Sequence, residues 1–476
     1  MKKLIYITII FLMSSCSNEF LDLYPETSLN ESNFYKSDEE FISLVNGSYI
    51  PLRNLNKTVM WDVSEVKSDN MDLQPSNTNI EQSRNENFLM SSSSIVHKSL
   101  WDNAYKGIYN CNKTLNAIEG SDYTWNNEFL KDRSLGEVYF LRALYYFELG
   151  RQFGGVPLVL TEINSQDAVN IKRSPIQDVY QQVVSDLTLA IDHLSKANDV
   201  HENGRASLTA AQGLLGRVYL TQKDFSKAES ILNTVIKSGK HGLLSNYADV
   251  FNPSKKDYYE TLFSVQFSES AAELANNFIF FNAPYTSKGE VTGRPNVAIQ
   301  VNIAIKPTQN LINSFNENDL RFTTSIGKWT GSDEKGGTAD YFYCAKYKGP
   351  QTAILGWSGD NFPILRYSDI LLMYAEVLNE LNRTGEAINY VKMVRDRAGL
   401  TENLVGLSKV DLGLLIEKER RLEFCFENHR WFDLVRTGRA LEVMKALGKD
   451  IKQEQLLAPI PGDQVLINNL EQNPGY

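Results

Sequence analysis

Two stretches of the sequence repeat one spacing of small and large apolar residues. The first copy, in residues 208–239, consists of Gly216, Tyr219, Ala228 and Leu232. The second copy, in residues 370–400, consists of Ala375, Leu378, Ala387 and Val391. Around them, apolar residues recur every three or four positions, which is the helical period. Because small residues let two helices approach closely, each copy predicts a pair of antiparallel helices joined by a short turn.

The same offsets occur in tetratricopeptide repeats, in which each unit is one packed pair of helices. Helical periodicity is also present in residues 100–118, 135–150, 175–194 and 412–435. Before the third of these stretches, Ser174 is the expected N-cap and Pro175 the first helical residue. The predicted fold class is therefore mainly α, with a tetratricopeptide-like scaffold of helical pairs.

The region between these helical stretches has a different pattern. Residues 261–267 (TLFSVQF) and 277–282 (NFIFFN) are rich in β-branched and aromatic residues, so they are predicted to be strands or extended segments. Residues 287–296 and 328–338 are rich in glycine and polar residues, which is typical of loops. Long irregular stretches inside a globular chain are uncommon and often functional.

The sequence therefore predicts one folded unit over residues 16–476. A helical scaffold is expected at about residues 30–250 and 366–476, and a large loop-rich insertion with a few short strands at about residues 251–365. We expect this insertion to be functional.

The first sixteen residues have the organisation of a secretory signal. Two lysines precede an apolar run over residues 4–13, which is shorter than the roughly 20 residues needed to span a bilayer. Two serines then precede Cys16, and this arrangement resembles a bacterial lipobox, whose cysteine becomes the lipidated first residue of the mature chain. We predict a signal peptide over residues 1–15 and a lipid anchor on Cys16. The alternative is an ordinary signal peptide with an incidental cysteine.

The charge balance bears on the partners that the chain can bind. The 476 residues include 48 Lys and Arg against 58 Asp and Glu, a formal charge of 48 − 58 = −10. Phosphate backbones require a basic protein face, so no nucleic-acid partner is expected. No cofactor is expected, because the sequence contains neither a phosphate-binding loop motif nor a dinucleotide-binding fingerprint.

Three further cysteines, Cys111, Cys344 and Cys425, are widely separated. The sequence contains no CxxC pair and no HExxH motif, so we predict no metal site. We interpret the three cysteines as buried small hydrophobic residues. One disulfide with one cysteine left over is the alternative.

The densest charged motif is residues 417–436 (EKERRLEFCFENHRWFDLVR). Glu419 and Glu423 are four residues apart and could form an acid/base pair. Alternatively, Arg420 and Asp433 belong to an ion-pair network with Arg436 that clamps neighbouring helices. We favour the clamp, although the sequence alone does not exclude glycoside hydrolysis, which needs only two suitably spaced carboxylates.

Several short segments follow one another in an order that characterises one protein family. They are Cys16 with Phe20-Leu21-Asp22, Trp101 to Asn112, Arg142 to Pro157, Arg366 to Glu376, Val394 to Gly399, Glu419 to Phe424, Arg430 to Leu434 and Gln472 to Tyr476. They resemble the SusD/RagB family of surface-exposed nutrient-binding lipoproteins of Bacteroidetes-type bacteria. Each fragment alone is a weak signal, but the ordered set is specific.

The resemblance implies a helical scaffold with tetratricopeptide-like pairs and a role that is not enzymatic. Members of this family capture a glycan, or in some cases a peptide, on the outer membrane and face the cell exterior. They act as a hinged lid over a SusC-like TonB-dependent barrel, which takes the ligand inward. Two other classes remain as alternatives: a surface glycoside hydrolase, and a tetratricopeptide adaptor that binds only protein.

A sugar ring presents an apolar face and a polar rim, so its binding site needs exposed aromatic rings beside amide, carboxylate or guanidinium groups. The resemblance implies that such a site is built largely from loops before the early Trp-containing helix and within the central insertion. The candidates for these contacts are Asp69, Asn70, Arg84, Trp101, Tyr341, Tyr343 and Trp357. If their segment is extended, Tyr341 and Tyr343 share one face. Trp101 also belongs to a helical core stripe, and we expect Trp61 and Trp431 in the core.

Overall fold

The structure is a computed structural model that describes residues 35–163, 167, 169–197, 204–253, 259–293, 304–333, 337–349 and 358–476. Within these ranges the chain is mainly helical, as predicted. The predicted signal peptide and Cys16 lie outside the described residues. No helix in the described ranges has the length and the apolar character that crossing a membrane requires.

The helices of the described residues are α1 (Asp38–Asn54), α2 (Ile80–Glu86), α3 (Ile95–Glu119), α4 (Glu128–Phe153), α5 (Ile176–Lys196), α6 (Leu208–Thr221), α7 (Phe225–Lys237), α8 (Phe278–Asn282), α9 (Gln309–Ser314), α10 (Phe322–Ser325), α11 (Tyr367–Glu380), α12 (Thr384–Arg397), α13 (Lys409–Glu423), α14 (Arg430–Thr437), α15 (Ala440–Ala446) and α16 (Gly462–Ile467). Two π-helical segments follow α1, at Leu55–Val59 and Trp61–Glu65. Short 3₁₀ helices occupy Tyr247–Phe251, Tyr285–Ser287 and Gln453–Leu456.

The strands are short and form two-stranded antiparallel sheets. They are β1 (Met71–Leu73), β2 (Thr261–Val265), β3 (Ile305–Pro307), β4 (Ile326–Ser332), β5 (Thr338–Cys344) and β6 (Phe362–Arg366). β1 pairs with β3, β2 with β6, and β4 with β5. The predicted strand at residues 261–267 is confirmed by β2.

Both predicted helical pairs are confirmed, as α6 with α7 and α11 with α12. Gly216 shows why small residues are needed between paired helices. A Cβ atom at Gly216 would lie 2.4 Å from Cδ2 of Leu232, so only glycine allows this approach. In the second pair, Ala375 and Ala387 are fully buried at the facing positions.

The two helical pairs have the same backbone conformation at their turns, and they pack against each other. The first helix of each pair is followed by a residue in the left-handed region, Lys223 with a φ of 61° and Asn382 with a φ of 62°. α7 packs against α11, and Glu229 of α7 forms an ion pair with Arg383 at the start of α12. Pairs that are far apart in sequence therefore form one continuous helical layer.

The long helix α4 runs through the centre of the N-terminal part of the scaffold. It packs against α1, α3 and α5, and every residue from Ser134 to Gly150 is buried. Its Arg142 is bound bidentately by Asp186 of α5, at 2.8 and 2.7 Å. A buried charge requires such pairing, and this ion pair fixes α4 against α5.

The helical stretch predicted at residues 412–435 consists of two helices with a break between them. α13 ends at Glu423 and α14 begins at Arg430. Between them, Phe426 and Asn428 have φ values of 68° and 62°, which no α-helix contains. The periodicity does not reveal the break, because the apolar residues on both sides of it are buried.

Three shorter predictions also differ from the structure. Residues 277–282 contain the buried helix α8 and no strand, because a run that is apolar on every side has no distinguishing period. α5 begins at Ile176, so Pro175 occupies the cap position that we assigned to Ser174. Residues 328–338 are not a loop throughout, since β4 extends to residue 332.

Two strands near the ends of the predicted insertion form one small sheet. β2 and β6 run antiparallel, and Thr261 pairs with Arg366. A second sheet joins the insertion to the N-terminal half, because β3 pairs with β1 just after the π-helical segments. The segment between β2 and β6 therefore leaves the scaffold and returns to it at neighbouring points.

Cys111, Cys344 and Cys425 are buried and carry free thiols. Burial raises the pKa of the Cys111 thiol to about 12 and that of the Cys425 thiol to about 11. The interpretation of these residues as small hydrophobic side chains is confirmed, and the alternative with one disulfide is wrong.

Candidate functional site

The strands β4 and β5 form a hairpin that carries a row of aromatic rings. Tyr341 pairs with Trp329 and Tyr343 pairs with Gly327 in the antiparallel register. Directly paired residues lie on the same face of a sheet, and alternate residues along one strand do as well. Trp329, Tyr341 and Tyr343 therefore lie on one face, which we call the aromatic hairpin face. The prediction that Tyr341 and Tyr343 share a face is confirmed.

Glycine residues lie directly beneath two of these rings. A Cβ atom at Gly327 would lie 2.2 Å from the ring of Tyr343, and one at Gly331 would lie 2.1 Å from the ring of Trp329. Both rings therefore lie across the backbone of β4 instead of standing away from it. All three rings are partly buried. Part of each ring is therefore packed against the protein, and part remains accessible to a ligand.

Trp329 is the member of this face that sequence reasoning missed. It lies in the glycine-rich stretch that we assigned to a loop, so its alternation with Gly327 and Gly331 was not read as a strand. Its ring centroid lies 5.6 Å from that of Tyr341, with 44° between the ring planes. The available signal was the alternation of Gly327, Trp329 and Gly331 before a polar turn, with an aromatic run after it.

A carboxylate lies at the edge of the aromatic hairpin face. Trp329 Nε1 donates a hydrogen bond to Glu290 Oε2 at 2.9 Å. Glu290 follows a tight turn in which Lys288 and Gly289 have φ values of 45° and 90°, and its N–H donates to the Ser287 carbonyl at 2.8 Å. The turn thus holds an exposed acceptor beside the indole ring, where it can also accept from a ligand hydroxyl.

The phenol of Tyr343 supplies a donor on the same face. Burial is the main cause that raises the pKa of Tyr343, with a smaller contribution from the neighbouring Cys344. The hydroxyl therefore keeps its proton at neutral pH. Accessible ring faces beside a carboxylate and a phenol suit a ligand that is apolar on its faces and rich in hydroxyls at its rim.

Asp69 and Asn70 lie elsewhere and are buried. Arg430 binds Asp69 bidentately at 2.7 and 2.8 Å, while Arg421 donates to Asn70 Oδ1 at 3.0 Å. Burial opposes ionisation of Asp69, but the hydrogen bonds and charge of Arg430 outweigh it and lower the pKa of Asp69. The expectation of ligand-facing groups here conflicts with the structure, because both side chains are engaged inside the scaffold.

Arg84 and Trp101 are also separate from the aromatic hairpin face. Arg84 is exposed on α2 and pairs with Glu81 at 2.9 Å. Trp101 is 3% exposed and packs against Tyr105 and Phe153, as its place in the helical core stripe predicted. Trp357 lies outside the described residues.

Trp61 and Trp431 are each 1% exposed, so their assignment to the core is confirmed. The described residues contain no group of three or more His, Cys, Asp or Glu side chains arranged to hold a metal ion.

The charged motif at residues 417–436 is an ion-pair network inside the scaffold. Glu423 is bound by Arg366 at 2.9 Å, Arg397 at 2.5 Å and Arg321 at 3.3 Å. Arg420 binds Asp433 at 2.8 Å, as the clamp interpretation expects.

Burial opposes ionisation of Glu423, but the surrounding positive charges outweigh it and hold its pKa well below the usual range. Its neighbour Glu419 is bound by Arg321 and Arg395. Because Glu423 stays ionised and enclosed, it is not suited to donate a proton to a substrate. The clamp interpretation is confirmed.

Two family models match this chain. A model described as the SusD family matches residues 323–476, and one described as starch-binding associating with outer membrane matches residues 19–220. A SusD-like protein of Formosa agariphila is 26% identical, over 98% of this chain and 96% of the relative. A SusD-like protein of Bacteroides ovatus is 27% identical, over 92% of this chain and 83% of the relative.

Solved structures share the whole fold. The structure of a laminarin-binding SusD-like protein has a TM-score of 0.79 at 25% identity and covers 93% of this chain and 100% of its own. A SusD superfamily protein from Parabacteroides distasonis also has a TM-score of 0.79 at 25% identity, covering 94% of this chain and 100% of its own. The ordered motifs, the helical pairs and these likenesses agree, and the chain belongs to the SusD/RagB family.

Proposed function

We propose that this protein is a glycan-binding lipoprotein of the outer membrane that captures an oligosaccharide through the aromatic hairpin face. The row of Trp329, Tyr341 and Tyr343 with Glu290 at its edge is the observation that carries the proposal. The starch-binding description of one matching family model and the laminarin-binding structural neighbour support a carbohydrate ligand. A peptide is the alternative ligand within the same family.

The role is capture without chemistry. An aromatic contact contributes about 0.5–1.5 kcal/mol beyond the area that it buries, so a few rings give reversible binding that suits release to a second protein. The receiver in this proposal is a SusC-like TonB-dependent barrel, as the family resemblance implies. A lipid on Cys16 would hold the protein at the membrane beside that barrel, with the aromatic hairpin face directed to the exterior.

Removing one ring of the aromatic hairpin face tests the binding site. In the full-length chain, kept in a detergent without sugar groups, Trp329→Ala and Tyr341→Ala should each weaken binding of the best ligand from a neutral-glycan array by about 1–3 kcal/mol. Isothermal titration calorimetry measures this change. Phe129→Ala, which removes an exposed ring from α4, and Ser332→Ala, on the opposite face of β4, are the controls.

Retained affinity in both ring variants would remove the hairpin from the site. Trp357→Ala belongs to the same series, because Trp357 remains a proposed ligand contact in the glycine-flanked GWSGD. We expect it to lower affinity by about 1–3 kcal/mol without changing the unfolding free energy.

The hydrolase alternative receives no support from the buried carboxylates of α13. It is tested by incubating the wild-type chain with soluble polysaccharides and measuring new reducing ends. Cleavage that Glu290→Gln abolishes would contradict the non-enzymatic role, whereas unchanged polysaccharide length agrees with capture.

A further inference from the structure

A second groove lies away from the aromatic hairpin face, beside the candidate Trp101. It has a volume of about 420 Å³ and lies between α3, the segment after α4 that starts at Pro157, and α16. Within the described part of the chain, its lining residues all precede residue 172 or follow residue 463, so none comes from the predicted insertion. Its size falls within the range of about 300–1,000 Å³ that is usual for small-molecule sites.

Three aromatic side chains of α3 follow one another along the floor and wall of the groove. Trp101, Tyr105 and Tyr109 are four residues apart, so they lie on one helix face. Their exposure increases along the helix: Trp101 is 3% exposed, Tyr105 is partly buried, and Tyr109 is 46% exposed. The groove therefore has a fixed aromatic floor and ends at a ring that a ligand can reach.

Hydrogen bonds to the opposite wall hold these rings in place. The Tyr105 hydroxyl donates to the Pro157 carbonyl at 2.8 Å, and the Tyr109 hydroxyl donates to Glu162 at 3.4 Å. The rings of Trp101 and Tyr105 are packed together, with centroids 4.9 Å apart. Little side-chain entropy would be lost when a ligand packs onto this surface.

The other edge of the groove is formed by two amides. Asn468 Nδ2 donates to Gln464 Oε1 at 2.6 Å. Among the described residues this leaves Gln464 Nε2 as a donor and Asn468 Oδ1 as an acceptor without a protein partner. A neighbouring donor and acceptor match two adjacent hydroxyl groups, each of which both donates and accepts.

The charged groups at the rim balance one another in sign. Lys98 lies 2.8 Å from Asp102 and 2.7 Å from Asp463, so one lysine bridges both carboxylates. Glu162 and Lys172 beside the groove have opposite charges and, within the ranges that the structure describes, bond only a phenol and backbone carbonyls. The rim therefore has no excess of one sign to attract a charged ligand, and a neutral ligand requires none.

We propose that this groove is a second sugar-binding site, which takes one or two residues of a neutral oligosaccharide with a ring face on Tyr109 and hydroxyls on the Gln464–Asn468 pair. The proposal rests on the proposed function only for the class of ligand. A chain bound at both the groove and the aromatic hairpin face would dissociate more slowly than from either site alone.

The test separates the two sites. Calorimetric titration of the full-length chain with maltohexaose, laminarihexaose and cellohexaose should show two binding events for the hexasaccharide that binds. Trp329→Ala should remove one event, and Tyr109→Ala or Gln464→Ala should weaken the other about tenfold. Phe129→Ala is the matched control for loss of an exposed ring, and thermal unfolding checks that every variant folds.

The outcomes distinguish failure of the groove from failure of the proposed function. One binding event that only Trp329→Ala removes would overturn the groove as a sugar site and leave the proposed function standing. Absence of binding to all three sugars would overturn both. Binding of the apolar peptide acetyl-Leu-Ala-Leu-amide that Tyr109→Ala abolishes, without any sugar effect, would assign the groove to a protein partner and overturn its role as a sugar site.

Discussion

The helical scaffold and the aromatic hairpin face both place a large side chain against glycine, with opposite results. In the scaffold, the side chain of Leu232 packs against Gly216 and is fully buried between α6 and α7. In the hairpin, the ring of Tyr343 packs against Gly327 and stays partly exposed. The same close approach therefore stabilises the fold in one region and presents a surface to ligands in the other.

The two regions also use charge differently. Glu423 of the scaffold is enclosed by three arginines, whereas Glu290 of the hairpin is exposed and holds one indole N–H. Polar groups that are fully satisfied within the protein have little left to offer a ligand. Stability and binding should therefore respond to different substitutions.

The largest effect is expected from Glu423→Gln. It leaves Arg366, Arg397 and Arg321 partly unpaired in the interior, and breaking a buried ion pair costs about 3–5 kcal/mol. Denaturant unfolding should show this loss, while the fraction that remains folded keeps its affinity for glycan. Glu442→Gln, at a 70% exposed partner of Arg439, is the control and should change stability by less than about 1 kcal/mol. An unchanged unfolding free energy for Glu423→Gln would contradict the contrast between the regions.

Lys67 is an exception to the pairing of scaffold charges. It is fully buried, its Nζ has no hydrogen-bond partner among the described residues, and it lies 4.6 Å from the ring centroid of Trp431. Burial lowers the pKa of Lys67 to about 7. Lys67→Met should therefore stabilise the protein at pH 7, by an amount on the order of 3 kcal/mol.

The stability gain of Lys67→Met should change with pH in one direction. Between about pH 7 and the ordinary lysine pKa of 10.5, the unfolded wild-type chain binds more protons than the folded chain, so its stability rises with pH. The gain from Lys67→Met should be greatest below pH 7 and should decrease as the pH rises through this window. Lys237→Met, at an exposed lysine, should give a gain near zero at every pH. A gain for Lys67→Met that does not change with pH would show that burial does not lower the pKa of Lys67.

Gly216→Val tests the buried glycine contact. Its new atoms would meet Leu232, and overpacking a core costs about 1–3 kcal/mol. Thermal unfolding measures this loss. The control is Gly385→Ala in α12, where nothing lies within 4 Å of an added Cβ atom, so stability should stay equal or rise. Equal stability of both variants would show that α6 and α7 can move apart freely.

The smallest effect is expected from Gly327→Ala. The new methyl group would displace the Tyr343 ring, and we expect glycan affinity to decrease by about 0.5–1 kcal/mol with little change in stability. Calorimetry on folded protein measures this difference. A loss of stability larger than the loss of affinity would show that the hairpin ring is a core residue after all.

Residue patterns predicted the scaffold because its geometry is local. The offsets of Gly216 and Leu232, and those of Ala375 and Ala387, report directly on how two neighbouring helices touch. The break between α13 and α14 left no such trace, because the buried aromatic residues around it pack equally well on a helix or on a turn.

The candidate site was harder to predict, because its residues meet only through long-range pairing. Tyr341 and Tyr343 could be assigned to a shared face from their alternation, but Trp329 joins them only through the register of β4 with β5. Asp69 and Asn70 looked available in sequence, and their arginine partners lie more than 300 residues further along the chain. No local pattern reveals such partners.

Because Thr261 of β2 pairs with Arg366 of β6, insertions and deletions between these two strands can alter the binding surface without moving the helices that support it.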